Sequence, residues 1–104
     1  MSYILRFSDQ ALDDLSSIGA YLKEASGSPR IAEGIVEQLV VRCENLAALP
    51  GTLGRERSEL KARMRGVAHG NYVIFFRYFD DTMEIVAVLE GHRDIDSYFR
   101  DDAD

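Results

Sequence analysis

Two stretches of helical spacing are separated by only three residues, Gly27-Ser28-Pro29, and a link that short folds the two helices back on each other as an antiparallel hairpin. In the first stretch Ala11, Leu15, Ile18 and Leu22 recur at intervals of four, three and four, so one stripe faces a core. Ser8 offers an N-cap oxygen to the orphan amides of the helix start, and Asp9 adds negative charge where the helix dipole favours it. Asp13, Asp14, Ser16, Ser17 and Lys23 fall mostly off the stripe. In the second stretch Ser28 is the cap and Pro29 takes the first helical position, where its missing amide costs nothing. Ala32, Ile35, Leu39, Cys43 and Leu46 keep the spacing until Pro50-Gly51 stops it.

A hairpin needs something to bury its apolar stripe against, and the remaining sequence supplies strands. Tyr3 to Phe7 alternates Tyr3, Leu5 and Phe7 with Ile4 and Arg6, which predicts a short strand with one buried face. Thr52 to Leu60 has little apolar periodicity and reads as a loop. From Lys61 the order Lys61, Arg63, Arg65 against Ala62, Met64, Gly66 has period two, predicting a strand with three cations on one side. Ala68-His69-Gly70-Asn71 is a turn. Tyr72 to Tyr78, rich in aromatic and β-branched residues, reads as a strand covered on both faces. After Asp80-Asp81-Thr82 a last strand runs from Met83 to Leu89. Gly91 releases it toward Asp94, a cap for a short helix carrying Ile95, Tyr98 and Phe99. The order βααβββ(α) makes an α+β domain, with the helical hairpin packed on one face of a small, mainly antiparallel sheet. Residues 1–100 are expected to form a single domain, and 101–104 a flexible acidic tail.

The composition, 46% hydrophobic and 29% charged, belongs to a globular protein rather than a disordered chain. The longest apolar runs, Tyr72 to Phe76 and Ile85 to Leu89, are far shorter than the ~18 residues of a membrane span. No basic segment leads into a long apolar core near Met1, so a secretory signal is not expected. A single cysteine, Cys43, excludes an internal disulfide and a cysteine-based zinc site, and a reducing cytoplasm is the expected location. The net charge of −6 is uneven. Residues 55–77 hold six basic and two acidic residues, and acidic stretches flank them. The basic centre suggests a surface for a charged partner, while the overall sign argues against a chain whose whole surface grips nucleic acid.

Few residues point to chemistry. His69 and His92 lie on different predicted turns, with no ligand spacing between them, so no metal is expected, and no cofactor either. Cys43 is in phase with Leu39 and Leu46 and belongs to the core. Tyr72, Phe75, Phe76, Tyr78 and Phe79 crowd next to the basic block, a combination that stacks bases. Neighbours on a central strand also point to opposite faces, and the preferred reading is that Phe75 and Phe76 fill two sides of a core. By type alone, Glu90, His92, Arg63, Arg65 and Tyr72 could supply base, clamp and acid for phosphodiester cleavage.

The first helix reads Ser8-x-x-Ala11-x-x-Asp14-Leu15-x-x-Ile18-x-x-Tyr21, and the loop reads Gly54-Arg55-x-Arg57-x-Glu59-Leu60. The strands read Gly70-Asn71-Tyr72-Val73-Ile74-Phe75-Phe76 and Ile85-Val86-x-Val88-Leu89-x-Gly91-x-Arg93-Asp94. In this order they resemble the ParE branch of the ParE/RelE toxin superfamily, the toxin half of bacterial toxin–antitoxin operons that stabilise plasmids. The resemblance implies the βααβββ fold, a ParD-like antitoxin that wraps the toxin, and DNA gyrase as the poisoned target. It further implies a non-enzymatic protein with no catalytic residues and no sequence-specific binding of nucleic acid. Glu90 departs from the pattern, which commonly has histidine there. The alternative is a RelE-like ribosome-dependent mRNA endonuclease with Arg63, Arg65 and His92 near the scissile phosphate. Those relatives are strongly basic, whereas the last strand here ends in Glu90-Gly91-His92-Arg93-Asp94, whose acids repel RNA over a Debye length of ~8 Å. The residues expected to meet a partner are Arg63, Arg65, Tyr72, Arg77, His92, Arg93 and Tyr98.

Overall fold

One residue, Ser8, ends the first strand, starts the first helix and ties both to the middle of the sheet. Its Oγ accepts the Ala11 N–H at 3.0 Å and donates to the Val86 carbonyl at 2.8 Å, while its own N–H bonds the Ile85 carbonyl at 2.9 Å. The computed structural model describes residues 2–92 and 94–101. In chain order the elements are β1 (Ile4–Phe7), α1 (Asp9–Ser26), α2 (Pro29–Ala48), β2 (Arg55–Glu56), β3 (Arg65–His69), β4 (Tyr72–Phe79), β5 (Thr82–Glu90) and α3 (Ile95–Asp101). The strands form one sheet in the order β1-β5-β4-β3-β2, with β1 parallel to β5 and all other pairs antiparallel. This is the expected α+β arrangement, and α1 and α2 form the expected hairpin.

The caps follow the sequence closely. Ser28 accepts the Ile31 N–H at the start of α2, and Gly27 closes α1 in the left-handed conformation at φ +69°. Leu49, which precedes Pro50, is forced out of the helical region to φ −88° and ψ 145°, and α2 ends there. Asp94 Oδ1 accepts the Ser97 N–H at 3.2 Å at the start of α3. That helix runs through Asp101, so the expected tail 101–104 begins inside it, and 102–104 lie outside the described residues.

The segment around Lys61 departs from expectation. Lys61 to Met64 is a turn, not the start of a strand, and β3 begins only at Arg65. The Arg57 N–H bonds the Met64 carbonyl at 2.7 Å, with turns at Leu60→Arg57 and Met64→Lys61 inside that closure. Burial of Met64 draws the chain inward, and Arg63 takes up the reversal at φ +63°, so Lys61, Arg63 and Arg65 do not share a strand face. The preceding loop also holds a strand, β2, whose two residues pair with Arg65 and Gly66. Gly54 permits that approach: its φ is +75°, and a Cβ there would lie 2.9 Å from both the Gly66 carbonyl oxygen and Phe76. His69 belongs to β3, which leaves only Gly70-Asn71 between β3 and β4.

The sheet is covered on both sides. Facing the hairpin, Ile74, Phe76, Met83, Ile85 and Val88 pack with Ala11, Leu15, Leu39, Cys43 and Leu46. On the other face Phe75, Val86, Ala87 and Leu89 pack with Met64 and Phe99, brought there by the 57–64 loop and α3. The pairing register shifts between Phe75, opposite Ala87, and Phe76, opposite Ile85, leaving Val86 as the extra residue of a bulge. Beyond the bulge the alternation of β5 inverts: Met83, Ile85 and Val88 serve the helix side, whereas Val86, Ala87 and Leu89 serve the other.

Candidate partner interface

The bulge also decides where a cleft opens. β1 pairs with β5 only as far as Ile85, so the last part of β5 has no neighbouring strand on that side. Helix α1 takes its place through Asp14, whose Oδ2 accepts the Val88 N–H at 2.9 Å and whose Oδ1 accepts from Gln10 Nε2 at 2.9 Å. Asp14 is 8% exposed, the one buried charged side chain among the described residues. Its helical phase, off the apolar stripe, suggested exposure. Burial is stable here because an edge amide of the sheet needs an acceptor.

Between this flank of α1 and the end of β5 lies a cleft of about 640 Å³. It brings together three of the expected contact residues, Tyr72, His92 and Tyr98, with Gln10, Asp14, Tyr21 and Glu90. Burial, then the Glu90 carboxylate and Tyr21, push the Tyr72 hydroxyl above its ordinary range. It is therefore a hydrogen-bond donor at neutral pH rather than a base. Tyr98 meets Phe99 edge-on with ring centroids 5.1 Å apart, which fixes one wall. His92 is exposed, and Tyr21 is 68% exposed at the mouth.

The arginines do not gather at this cleft. Arg65 donates from Nε to the Leu53 carbonyl at 2.6 Å and from Nη2 to the Gly54 carbonyl at 2.9 Å, so it staples the loop that carries β2. Arg77 pairs with Glu84 across the β4–β5 ladder at 3.1 Å and stacks over Phe79 at 5.0 Å. Arg63 approaches the same ring at 5.9 Å from its turn. Arg57 pairs with Glu59 at 2.7 Å, which holds the Glu59 carboxyl below its usual range. Arg93 lies outside the described residues. The expected set is thus divided: Tyr72, His92 and Tyr98 in the cleft, Arg63 and Arg77 around Phe79, and Arg65 in a structural tie. Glu90 and Asp14 were within reach of sequence reasoning only as residue types; nothing in their spacing marks them as cleft residues.

Other surfaces are simpler. Among the described residues no three His, Cys, Asp or Glu side chains converge to hold a metal ion, and no helix is long and apolar enough to cross a membrane. Cys43 is buried, and burial raises its thiol pKa to about 12. A groove of about 470 Å³ runs along the outer side of the hairpin between α1 and α2.

Known proteins share this arrangement. The fold is similar to a structure titled chromosomal ParDE toxin–antitoxin system from P. aeruginosa, with TM-score 0.76 and 18% identity over 86% of this chain and 96% of that one. It is also similar to a chain of the toxin–antitoxin complex RelBE2 from Mycobacterium tuberculosis, with TM-score 0.59 and 27% identity over 86% and 92% of the respective chains. No curated protein sequence matches. The family described as ParE toxin of type II toxin-antitoxin system, parDE, matches residues 5–95, which take in every strand, the hairpin and the cleft. The chain belongs to the ParE toxin family.

Proposed function

We propose that the protein acts in the cytoplasm by surface contact, trapping DNA gyrase, and that a ParD-like antitoxin holds it inactive. The observation that carries this reading is the family match over residues 5–95. The structure supports contact rather than cleavage through the engagement of its arginines. A phosphodiester-cleaving site needs cations aimed at the phosphate, yet Arg65 and Arg77 already serve the Leu53 and Gly54 carbonyls and Glu84. The cleft is bordered instead by the carboxylates of Asp14 and Glu90. Induced expression tests the reading: DNA synthesis should stop before protein synthesis, and co-expression of the adjoining reading frame should restore growth. Arrest of translation first would contradict it.

One observation favours the second reading, an mRNA endonuclease. Tyr72, His92 and Tyr98 share one cleft, and by type they include a general acid or base. Ribosome-programmed cleavage with wild type and His92→Ala decides between the two. Cleavage that His92→Ala abolishes would establish an enzyme, and no cleavage by wild type removes this alternative.

A further inference from the structure

We infer that the groove on the outer side of the hairpin receives a basic amphipathic helix of the antitoxin, a proposal that rests on the toxin–antitoxin reading above. Its floor is formed by Leu15, Gly19, Ala32 and Val36, and its rim carries Glu33 and Glu37. Gly19 lacks a side chain where a Cβ would stand 3.5 Å from Val36, so α1 and α2 pack closely and the floor stays smooth. Leu12 is 52% exposed and precedes Ser16 and Gly19 by four and seven positions, which extends the apolar line along the same flank of α1.

The walls select the shape of the occupant. Backbone groups within both helices are bonded internally, so the groove offers an extended chain no ladder to join. A segment lying on this apolar floor must satisfy its own backbone, which a helix does. Small residues on the floor allow a third axis at the ~8–10 Å of ordinary helix packing.

The rim selects the charge. Lys23 is the single cation among the groove residues, against Glu33 and Glu37. A second copy of this chain fits poorly, because both its helices are net acidic: Asp9, Asp13, Asp14 and Glu24 outnumber Lys23 in α1, and Glu33, Glu37 and Glu44 outnumber Arg30 and Arg42 in α2. The basic stretch at 55–77 is loop and strand, not helix. A helix from another chain, with Lys or Arg flanking an apolar stripe, complements both floor and rim.

The probe is the purified full-length product of the adjoining reading frame, titrated against wild-type toxin and three variants. Ser16→Trp, which fills the groove, should weaken binding by about tenfold or more at any salt concentration. Glu33→Lys with Glu37→Lys should do the same at low salt, with a penalty that shrinks as salt rises. Ala25→Trp, at the exposed end of α1, should stay within about twofold of wild type. All should melt as the wild type does. Hydrogen exchange of the wild-type pair provides an independent check: amides of 12–23 and 29–37 should slow on binding. Groove variants that bind as tightly as wild type, or exchange that is unchanged there, would overturn the groove assignment while leaving the antitoxin intact as partner. A toxin dimer abolished by Ser16→Trp would assign the groove to a second copy. No binding by wild type would overturn both readings.

Discussion

Phe75 and Phe76 are adjacent in the chain and both fully buried, yet they belong to two differently built cores. Phe76 lies under the hairpin, in a cluster drawn from α1, α2, β4 and β5. Phe75 lies on the opposite face, under the closed 57–64 loop and the seven-residue α3, with Phe99 edge-on at 5.2 Å and Arg57 over its ring at 5.9 Å. The first core is roofed by two long helices, each capped at its start by a serine side chain. The second is roofed by short pieces held by turn hydrogen bonds and a few ring contacts. The difference shows how a chain of 104 residues covers both faces of a sheet. One face takes most of the regular structure, and the bulge at Val86 supplies side chains to the other.

Truncation probes this comparison most strongly. Phe76→Ala should cost about 4 kcal/mol in urea unfolding, because the long helices above it cannot collapse into the cavity. Phe75→Ala should cost less, about 3 kcal/mol, because α3 and the loop can settle. Equal losses would show that the short roof is as rigid as the hairpin. Asp14→Ala removes the acceptor of the buried Val88 amide and should cost about 2 kcal/mol. Arg65→Ala releases two loop carbonyls and should cost about 1 kcal/mol, whereas the exposed Arg63→Glu should change stability by less than about 0.5 kcal/mol. That pair separates a staple from a free surface cation, although both residues were expected to act alike at a partner surface.

Cys43 tests the hairpin core without mutation. Its thiol pKa is about 12 in the folded chain, so it should resist alkylation at pH 8 and react once the protein unfolds. The unfolded chain loses this proton near pH ~8.5, and the folded chain keeps it. The contribution of the neutral thiol to stability is therefore complete below that pH and declines between it and about 12. Rapid labelling of native protein at pH 8 would contradict the packing.

The hairpin was legible because its signals are local: Ser8, Ser28 and Pro29 mark starts, Gly27 and Pro50 mark stops, and apolar residues recur at helical spacing between them. β4 was legible from its run of aromatic and β-branched residues, including the opposite directions of Phe75 and Phe76. The turn at 61–64 was not, since its alternating cations imitate a strand and only the burial of Met64 against Phe75 makes them turn. β2 was hidden for a related reason: two charged residues become a strand only because Gly54 lets them approach Gly66. The cleft was partly legible, through Tyr72, His92 and Tyr98. Asp14 was not, because its burial depends on an amide of β5 that lies 74 positions away in the chain.

Inhibition of purified gyrase, with and without the adjoining antitoxin, tests contact toxicity most directly. The expected result is loss of supercoiling with accumulation of cleaved DNA on adding the toxin, and recovery when the antitoxin is mixed in first. Unimpaired supercoiling at toxin concentrations that arrest growth in cells would contradict gyrase as the target of this protein.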